Sequence, residues 1–366
     1  MRILLCFGTR PEAIKMAPLY HALKKKVGLE LKVCVTAQHR EMLDQVLEFF
    51  EIVPDFDLNL MQANQSLNQL SARIINQVDE VLKIENPDWV LVHGDTTTST
   101  LVALAAFHRG IKVGHIEAGL RTHNKQAPFP EELNRQLTSR IVDLHFAPTE
   151  KAVQNLLNEG ISKDMIFNVG NTIVDALDWA SNKISLGYQN TTIKQLKNQL
   201  NSLKKLVLVT GHRRENFGDG FIHLCEALVE LSKRTDVEII YPVHLNPKVQ
   251  KPVNKLLGES QNIHLIAPVE YPVMIWLMQQ ATIIISDSGG IQEEAPSLKK
   301  VVLVTREVTE RPEGVEKGFA VLVGTNKDKI ISEAVKFLDD FKGFVNTVNP
   351  YGDGKTSERI KDVLLK

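Results

Sequence analysis

Residues 281–296 read ATIIISDSGGIQEEAP, and this stretch decides the fold. The apolar run at 281–285 predicts a buried strand, and the small residues and carboxylates after it predict the start of a helix. A helix start presents unpaired backbone N–H groups, which bind anions. Two glycines let a phosphate approach the backbone, and a carboxylate one turn later can hold a ribose hydroxyl. The stretch therefore indicates a nucleoside-diphosphate site, although an ordinary strand-to-helix turn could have a similar sequence.

The same alternation of strand and helix runs outward to both ends of the chain. Strands are predicted at 3–7, 31–36, 89–93, 112–116 and 144–147, and again at 206–210, 237–241, 263–267, 283–286, 301–305 and 320–323. Helices are predicted at 12–26, 42–50, 98–108, 172–183 and 192–203, and from a Thr149 cap to Gly160. This order is typical of parallel sheets with helices on both faces.

We therefore predict an α/β protein of two Rossmann-like, doubly wound domains that face a cleft. The expected domains are residues 1–171 and 172–351, with a polar seam near 182–192. Ligands in such sheets lie beyond the carboxyl ends of the strands. The unusual residues of this chain cluster at those strand ends.

Bulk composition excludes several classes of function. The chain of 366 residues is 43% hydrophobic and 24% charged, and its formal net charge of -1 provides no field for nucleic acid or an anionic membrane. The three cysteines, Cys6, Cys34 and Cys225, are widely spaced and fit a reducing compartment better than disulfides. The first apolar run is too short for a signal peptide, and no run reaches about 18 apolar residues. We expect a cytoplasmic protein without a membrane span.

Charged side chains follow the strands of the predicted first domain. Arg10 and Lys15 lie near the start of the first helix and can meet phosphate oxygens, although Arg10 could instead form a surface ion pair. Asp95 and Glu117 end two successive strands, so both should face one pocket, where paired carboxylates can divide acid and base roles. Taken alone, Asp95 would be a simple helix N-cap.

A further helix of the first domain is predicted to begin after the proline-rich loop 128–130. It carries Glu131 and Glu132, either of which could serve only the helix dipole. The loop at 122–129 is a candidate lid.

The predicted second domain carries a cationic strand end. His212 lies beside Arg213 and Arg214, a combination that suits a leaving diphosphate. Arg311, shortly beyond another strand, can reach phosphate or sugar. The sequence has no G-x-G-x-x-G, H-x-x-x-H or C-x-x-C spacing, so we expect no dinucleotide cofactor and no metal.

Six motifs together carry a family resemblance that runs from Phe7 to the turn cluster at 349–354. They are GTRPE at 8–12, TAQHR at 36–40, HGDTTT at 93–98, EAGLRT at 117–122, GHRRE at 211–215 and the stretch 288–296. In these motifs the chain resembles the non-hydrolysing UDP-N-acetylglucosamine 2-epimerases. The resemblance implies the GT-B glycosyltransferase fold and interconversion of UDP-N-acetylglucosamine and UDP-N-acetylmannosamine without a cofactor.

The resemblance also implies roles for individual residues. The matching catalytic positions are Asp95, Glu117, Glu131 and His212, and the positions that hold UDP are Arg10, Lys15, Ser288, Gly289, Gly290, Glu294 and Arg311. Val269 and Met274 stand near the uracil, where the family often has glutamine and phenylalanine. A second, activating UDP-N-acetylglucosamine would meet Gln38, His39 and Gln65, while Glu41 and Asn64 replace an expected glutamine and arginine. A homodimer and a last helix (352–366) that returns to the first domain are implied as well.

The expected reaction inverts C2 of the sugar, whose proton is not next to a carbonyl. Because the sequence lacks a nicotinamide site, we expect elimination of UDP to give 2-acetamidoglucal, followed by reprotonation and return of UDP. Three alternatives remain at this point: a GT-B glycosyltransferase with an acceptor site, a hydrolysing 2-epimerase that releases UDP and free N-acetylmannosamine, and a non-enzymatic nucleotide-sugar sensor. The expected partners are the two nucleotide sugars, used in polysaccharide biosynthesis.

Overall fold

The chain forms two compact units. A computed structural model describes residues 1–37, 40–62, 65–340, 343–344 and 347–366, and only the backbone of Glu41. The first unit combines Met1–Ala176 with Tyr351–Lys366, and the second is Leu177–Pro350.

The first unit is built on a parallel sheet. Among the described residues its strand order is β3-β2-β1-β4-β5-β6-β7, and every neighbouring pair is parallel. The strands are β1 (Arg2–Phe7), β2 (Glu30–Val35), β3 (Phe56–Asp57), β4 (Trp89–His93), β5 (Lys112–Ile116), β6 (Leu144–Ala147) and β7 (Ile166–Asn168). The helices are α1 (Arg10–Lys24), α2 (Arg40–Phe49), α3 (Leu67–Glu85), α4 (Thr97–His108), α5 (Glu131–Ile141) and α6 (Glu150–Asn158).

The second unit repeats this architecture. Its described strands lie in the order β10-β9-β8-β11-β12-β13, again all parallel. They are β8 (Lys205–Thr210), β9 (Val237–Pro242), β10 (Ile263–Ile266), β11 (Ile283–Ser286), β12 (Val301–Val304) and β13 (Ala320–Leu322). The helices are α8 (Thr191–Gln199), α9 (Asp219–Ser232), α10 (Pro247–Leu257), α11 (Tyr271–Gln280), α12 (Gly289–Glu294), α13 (Pro312–Glu316) and α14 (Lys327–Asp339). Helix α7 (Thr172–Ser185) begins in the first unit and ends in the second.

The central strands are apolar on both faces, as expected for sheets covered by helices on both sides. Every residue of Ile283–Ser286 and of Val301–Val304 is buried. The α/β class and the two parallel sheets predicted from the sequence are therefore confirmed.

Element boundaries follow local sequence signals closely. Thr149 is confirmed as the N-cap of α6, where its hydroxyl accepts a hydrogen bond from the N–H of Ala152 (3.3 Å). Helix α1 begins two residues before its predicted start, because Thr9 caps it. Helix α3 was missed although its buried residues Leu70, Ile74 and Val78 repeat at helical spacing. The strands β3 and β7 were also missed, since two or three residues are too few to show a period.

The last helix, α15 (Thr356–Leu364), packs in the first unit against α1. No side chain of its own caps it. Instead, the buried carboxylate of Asp175 on α7 accepts the N–H groups of Thr356 (3.2 Å) and Ser357 (2.8 Å). The N–H of Asn171 donates to the carbonyl of Tyr351 (2.8 Å), which also holds the returning chain.

Candidate active site

In each sheet the strand order reverses once, and the sequence motifs lie at these reversals. The loops at 8–10 and 94–96 follow β1 and β4 in the first unit, whereas those at 211–213 and 287–288 follow β8 and β11 in the second. Open α/β sheets bind ligands at such switch points, beyond the carboxyl ends of the strands. Each unit therefore has a candidate ligand-binding edge of its own.

The loop after β1 is fixed by the buried carboxylate of Glu12. Its Oε2 accepts hydrogen bonds from the N–H groups of Gly8 (3.0 Å) and Thr9 (2.8 Å), and its Oε1 accepts one from the hydroxyl of Thr96 (2.7 Å). Burial raises the pKa of Glu12, and these hydrogen bonds oppose the rise. The turn is therefore rigid where Arg10, a predicted phosphate ligand, begins α1.

Lys15 and Glu117 form a largely buried ion pair in the first unit. The amide of Asn171 also donates to Oε2 of Glu117 (3.3 Å). Glu117 adopts a φ of 65°, in the left-handed region that a residue with a side chain rarely occupies. Such strain persists where surrounding contacts fix it, and it concentrates at functional sites. The structure thus brings together a predicted catalytic carboxylate and a predicted phosphate ligand.

Asp95 is oriented by Arg135, a residue for which no role is predicted from the sequence. Oδ2 of Asp95 lies 2.8 Å from Nε and 2.6 Å from Nη2 of this guanidinium, whose Nη1 donates to Oε2 of Glu132 (3.0 Å). The amide of Asn134 donates to the backbone carbonyl of Asp95 (2.9 Å). The N-cap interpretation of Asp95 is wrong, because Thr96 caps α4. The sequence signal for Arg135 was its position one turn after Glu131 on the same helix.

The two adjacent glutamates at the start of α5 have different surroundings. Glu132 is fully buried and accepts the N–H groups of Thr122 and His123, each at 3.0 Å, so it holds the beginning of the loop 122–129. Burial alone would raise the pKa of Glu132, but hydrogen bonds from Thr122, Gln136, Arg135 and His123 lower it below its usual value. In Glu131, by contrast, Oε2 is buried and has no hydrogen-bond partner among the described residues. That oxygen therefore keeps an unused hydrogen-bonding capacity among the described residues.

Asp287 organises the ligand-binding edge of the second unit, although no separate role is predicted for it from the sequence. It is fully buried, and its Oδ2 accepts the backbone N–H groups of His212 and Arg213, each at 2.9 Å. The amide of Asn216 donates to the same oxygen (3.3 Å). These bonds fix the loop after β8 against the end of β11.

His212 projects from this loop and remains 46% exposed. Its Nδ1 lies 3.5 Å from Oδ1 of Asp287, and its ring stacks on that of His244 with centroids 5.5 Å apart. Partial burial lowers the pKa of His212; Asp287 opposes this effect, while His244 and Arg213 add to it. The lowered pKa of His212 favours the neutral imidazole at neutral pH.

Arg311 lies directly against the start of α12, as a phosphate ligand there requires. A Cβ built on Gly289 would lie 2.6 Å from Nη1 of Arg311, so any larger residue would displace the guanidinium from its present position. Glu293 orients this guanidinium, since its Oε1 accepts from Nε at 2.9 Å. A Cβ built on Gly290 would meet nothing closer than the hydroxyl of Ser288, at 3.8 Å. The backbone there is open to an anion.

The remaining predicted UDP positions lie in the second unit as well. Glu294 is buried on α12, whereas Val269 and Met274 are half-buried around the start of α11. No role is predicted for Arg306 from the sequence. Its buried guanidinium pairs with Glu310 (2.8 Å) and fixes the loop that carries Arg311. The sequence offered no signal for Arg306 beyond its position after β12.

The predicted second nucleotide-sugar site is described only in part. Gln38 and His39 lie outside the described residues. Gln65 contacts the sulfur of Met61 (2.7 Å) and accepts a hydrogen bond from Arg73.

Two kinds of feature are absent from the described ranges. No three His, Cys, Asp or Glu side chains among these residues are placed to hold a metal ion. No helix within the same ranges has the length and apolar character needed to cross a membrane.

Comparison with known proteins defines the class. A family model described as UDP-N-acetylglucosamine 2-epimerase matches residues 21–365. The UDP-N-acetylglucosamine 2-epimerase of Salmonella typhimurium is 52% identical over 100% of this chain and 98% of its own, and that of Campylobacter jejuni is 50% identical over 100% and 97%. The fold matches a crystal structure of UDP-GlcNAc 2-epimerase from Neisseria meningitidis bound to UDP-GlcNAc, with a TM-score of 0.89, 48% identity and 100% of both chains covered. It also matches the Methanocaldococcus jannaschii UDP-GlcNAc 2-epimerase in complex with UDP-GlcNAc and UDP, with a TM-score of 0.82, 36% identity and coverage of 100% and 99%.

These similarities extend over the whole length of both sheets and define a nucleotide-sugar enzyme with a GT-B-like fold. The chain belongs to the UDP-N-acetylglucosamine 2-epimerase family.

Proposed function

We propose that this protein interconverts UDP-N-acetylglucosamine and UDP-N-acetylmannosamine by the non-hydrolysing route. The observation that carries the proposal is membership of this family over nearly the whole chain, joined to the carboxylates at the switch point of the first unit. The reaction is an isomerisation, because the atoms of substrate and product are the same.

The chemistry proceeds in two balanced halves. In the first, a carboxylate removes the C2 proton while the C1–O bond breaks and its electron pair leaves with UDP, so that C1 and C2 become doubly bonded in 2-acetamidoglucal. In the second, an acid protonates C2 from the opposite face and the UDP oxygen returns to C1. The protein must therefore supply acid–base groups at C2 and stabilise the charge that develops on the diphosphate.

We assign the acid–base work to Asp95, Glu117 and Glu131 of the first unit. The first two are held in fixed orientations by cations, Arg135 and Lys15. Glu131 keeps a buried oxygen without a hydrogen-bond partner among the described residues, which suits a group that must exchange a proton with a ligand. Fixed carboxylates in distinct surroundings are what proton transfer to two faces of one carbon requires.

We assign diphosphate binding to cations and to the open backbone of α12. In the second unit Ser288, Gly289, Gly290 and Arg311 would hold the phosphates, with His212 facing the leaving group. In the first unit Arg10 and Lys15 would add positive charge. For the nucleoside, Glu294 would bind the ribose, and Val269 and Met274 would contact the uracil.

One experiment tests the proposal against its rivals. The protein is incubated with UDP-N-acetylglucosamine in heavy water, and the sugar is followed by NMR. Deuterium at C2 of a sugar that still carries UDP is expected. Release of UDP with free N-acetylmannosamine would instead identify a hydrolysing enzyme, whereas an unchanged substrate would favour a glycosyltransferase or a sensor.

We also propose a homodimer assembled through α5. Leu133 and Leu137 lie one turn apart on α5 and are 41% and 47% exposed, and Phe129, which precedes the helix, is 60% exposed. Phe107, at the end of the neighbouring helix α4, is 60% exposed. Several large exposed apolar side chains on two packed helices favour an interaction site. Leu137→Glu should reduce the mass measured by sedimentation equilibrium, and Leu203→Glu, at a 92% exposed position in the second unit, is the matched control.

Three finer expectations remain proposals. The enzyme would act in the cytoplasm and supply an activated N-acetylmannosamine for polysaccharide synthesis. A second UDP-N-acetylglucosamine would bind near Gln38, His39 and Gln65 and activate the enzyme. Substrate-saturation curves test the activating site, because activation by substrate makes the dependence of rate on substrate concentration sigmoidal instead of hyperbolic.

A further inference from the structure

We propose that Asp287 is a positioning residue for His212: its carboxylate holds the imidazole with Nδ1 turned toward it and leaves Nε2 open to the departing diphosphate. This inference rests on the proposed function, because it assigns a part in the same reaction.

The two oxygens of Asp287 have separate tasks. Oδ2 accepts three hydrogen bonds, two of them from the backbone N–H groups of His212 and Arg213, which anchor the carboxylate. Oδ1 is buried and accepts no hydrogen bond among the described residues, yet it lies 3.5 Å from Nδ1 of His212. A buried carboxylate oxygen without a hydrogen-bond donor destabilises the folded protein. The Nδ1–H of the His212 imidazole is the donor that can compensate Oδ1.

A second contact restrains the ring. The imidazoles of His212 and His244 stack with centroids 5.5 Å apart and an interplanar angle of 18°. One contact acts on the ring edge and the other on its face, so together they define its orientation. In the neutral ring the proton then resides on Nδ1, and Nε2 carries the lone pair.

This arrangement suits a group that faces a leaving diphosphate. Protonated at Nε2, the imidazolium can donate a hydrogen bond to the oxygen that gains charge as the C1–O bond breaks. The carboxylate on the other side of the ring stabilises the imidazolium, as in catalytic triads, without itself taking the proton. The charged and titratable groups that act on this ring are Asp287, His244 and Arg213.

A kinetic test compares Asp287→Asn with Glu238→Gln. Glu238 is the matched control, because it is also a buried carboxylate of the second unit that accepts a backbone N–H (Asn201, 2.8 Å) and pairs with a histidine (His264, 3.1 Å). Asp287→Asn should lower kcat about 10- to 100-fold with little change in KM. Glu238→Gln should leave kcat within about twofold of wild type.

Two readouts exclude a merely structural role. First, adding Asp287→Asn to His212→Gln should cost little beyond His212→Gln alone, because residues that act as one unit are not additive. Second, nitrogen NMR of histidine-labelled wild-type protein, with His212 assigned through its absence in His212→Gln, should show the Nδ1–H form of the neutral ring. The pKa of His212 should also fall in Asp287→Asn, where the negative charge is lost.

The outcomes separate this inference from the proposed function. An Nε2–H ring in the wild type overturns it, even if Asp287→Asn does not fold. A folded Asp287→Asn enzyme with unchanged kcat also overturns it, while the proposed function stands. If the wild-type protein fails to incorporate deuterium at C2, the proposed function fails, whereas NMR of the free protein still decides whether Asp287 orients the ring.

Discussion

His145 should make the first unit sensitive to acid. It lies on β6, fully buried, and neither ring nitrogen has a hydrogen-bond partner among the described residues. Burial, together with the charge of Arg121, lowers the pKa of His145 from 6.5 to about 4. Since the unfolded chain takes up a proton near pH 6.5 and the folded chain does not, stability is present above that pH and is lost as pH falls toward 4.

The expected size follows from these two pKa values. Each pKa unit is worth about 1.4 kcal/mol, so His145 should reduce the free energy of unfolding by about 2 kcal/mol between about pH 7 and about pH 5. The full loss is about 3 kcal/mol, reached once the folded form is also protonated. His115, whose pKa burial lowers to about 3, should act in the same direction. Its Nε2 also bonds to the carbonyl of Gly94 (2.7 Å), so His145 is the cleaner site to substitute.

The measurement is urea denaturation at both pH values, followed by circular dichroism. His145→Leu should remove about 2 kcal/mol of the acid-induced loss, because leucine cannot be protonated. His108→Leu, the same substitution at an exposed histidine of the first unit, should leave the loss unchanged. If wild type and His145→Leu lose the same free energy on acidification, the reasoning from the buried neutral imidazole is refuted.

Three other substitutions have defined outcomes. Asp95→Asn should retain UDP binding, measured by calorimetry, but abolish deuterium exchange at C2; retained exchange would remove Asp95 from the acid–base set. Gly289→Ala should weaken UDP binding by roughly tenfold or more, because the added methyl would lie 2.6 Å from Nη1 of Arg311, and unchanged affinity would argue against that guanidinium as a phosphate ligand. Asp175→Ala should lower the free energy of unfolding by about 1–3 kcal/mol and speed proteolysis near residue 355, since α15 loses its cap; equal stability in thermal denaturation would contradict this.

The sequence predicted the sheets because their strands are short, apolar and regularly spaced. It also predicted which loops carry polar side chains, since strand ends are visible as abrupt changes of composition. It did not predict the partners of those side chains. Asp95 meets Arg135 and His212 meets Asp287 only because parallel strands bring distant segments to one edge, and no local period encodes such a meeting.

Glutamates at helix starts posed a different problem. Glu131 and Glu132 are equivalent as sequence, yet the side chain of Glu132 is buried and accepts backbone N–H groups at the start of the loop 122–129, whereas Glu131 keeps an oxygen without a hydrogen-bond partner among the described residues. The direction of a side chain depends on its position around the helix, which shifts by about 100° per residue. Which of the two glutamates is buried can therefore be predicted only when the first residue of the helix is known.

The return of α15 to the first unit affects how the protein is made. Because residues 351–366 complete a unit whose other segment is Met1–Ala176, that unit cannot close until the whole second unit has been synthesised. The second unit is continuous in sequence and can finish folding while the first still lacks its last helix. A chain truncated after the second unit would therefore contain a complete second unit and an incomplete first unit. In that first unit, Asp175 would lack the N–H groups of Thr356 and Ser357 that it caps.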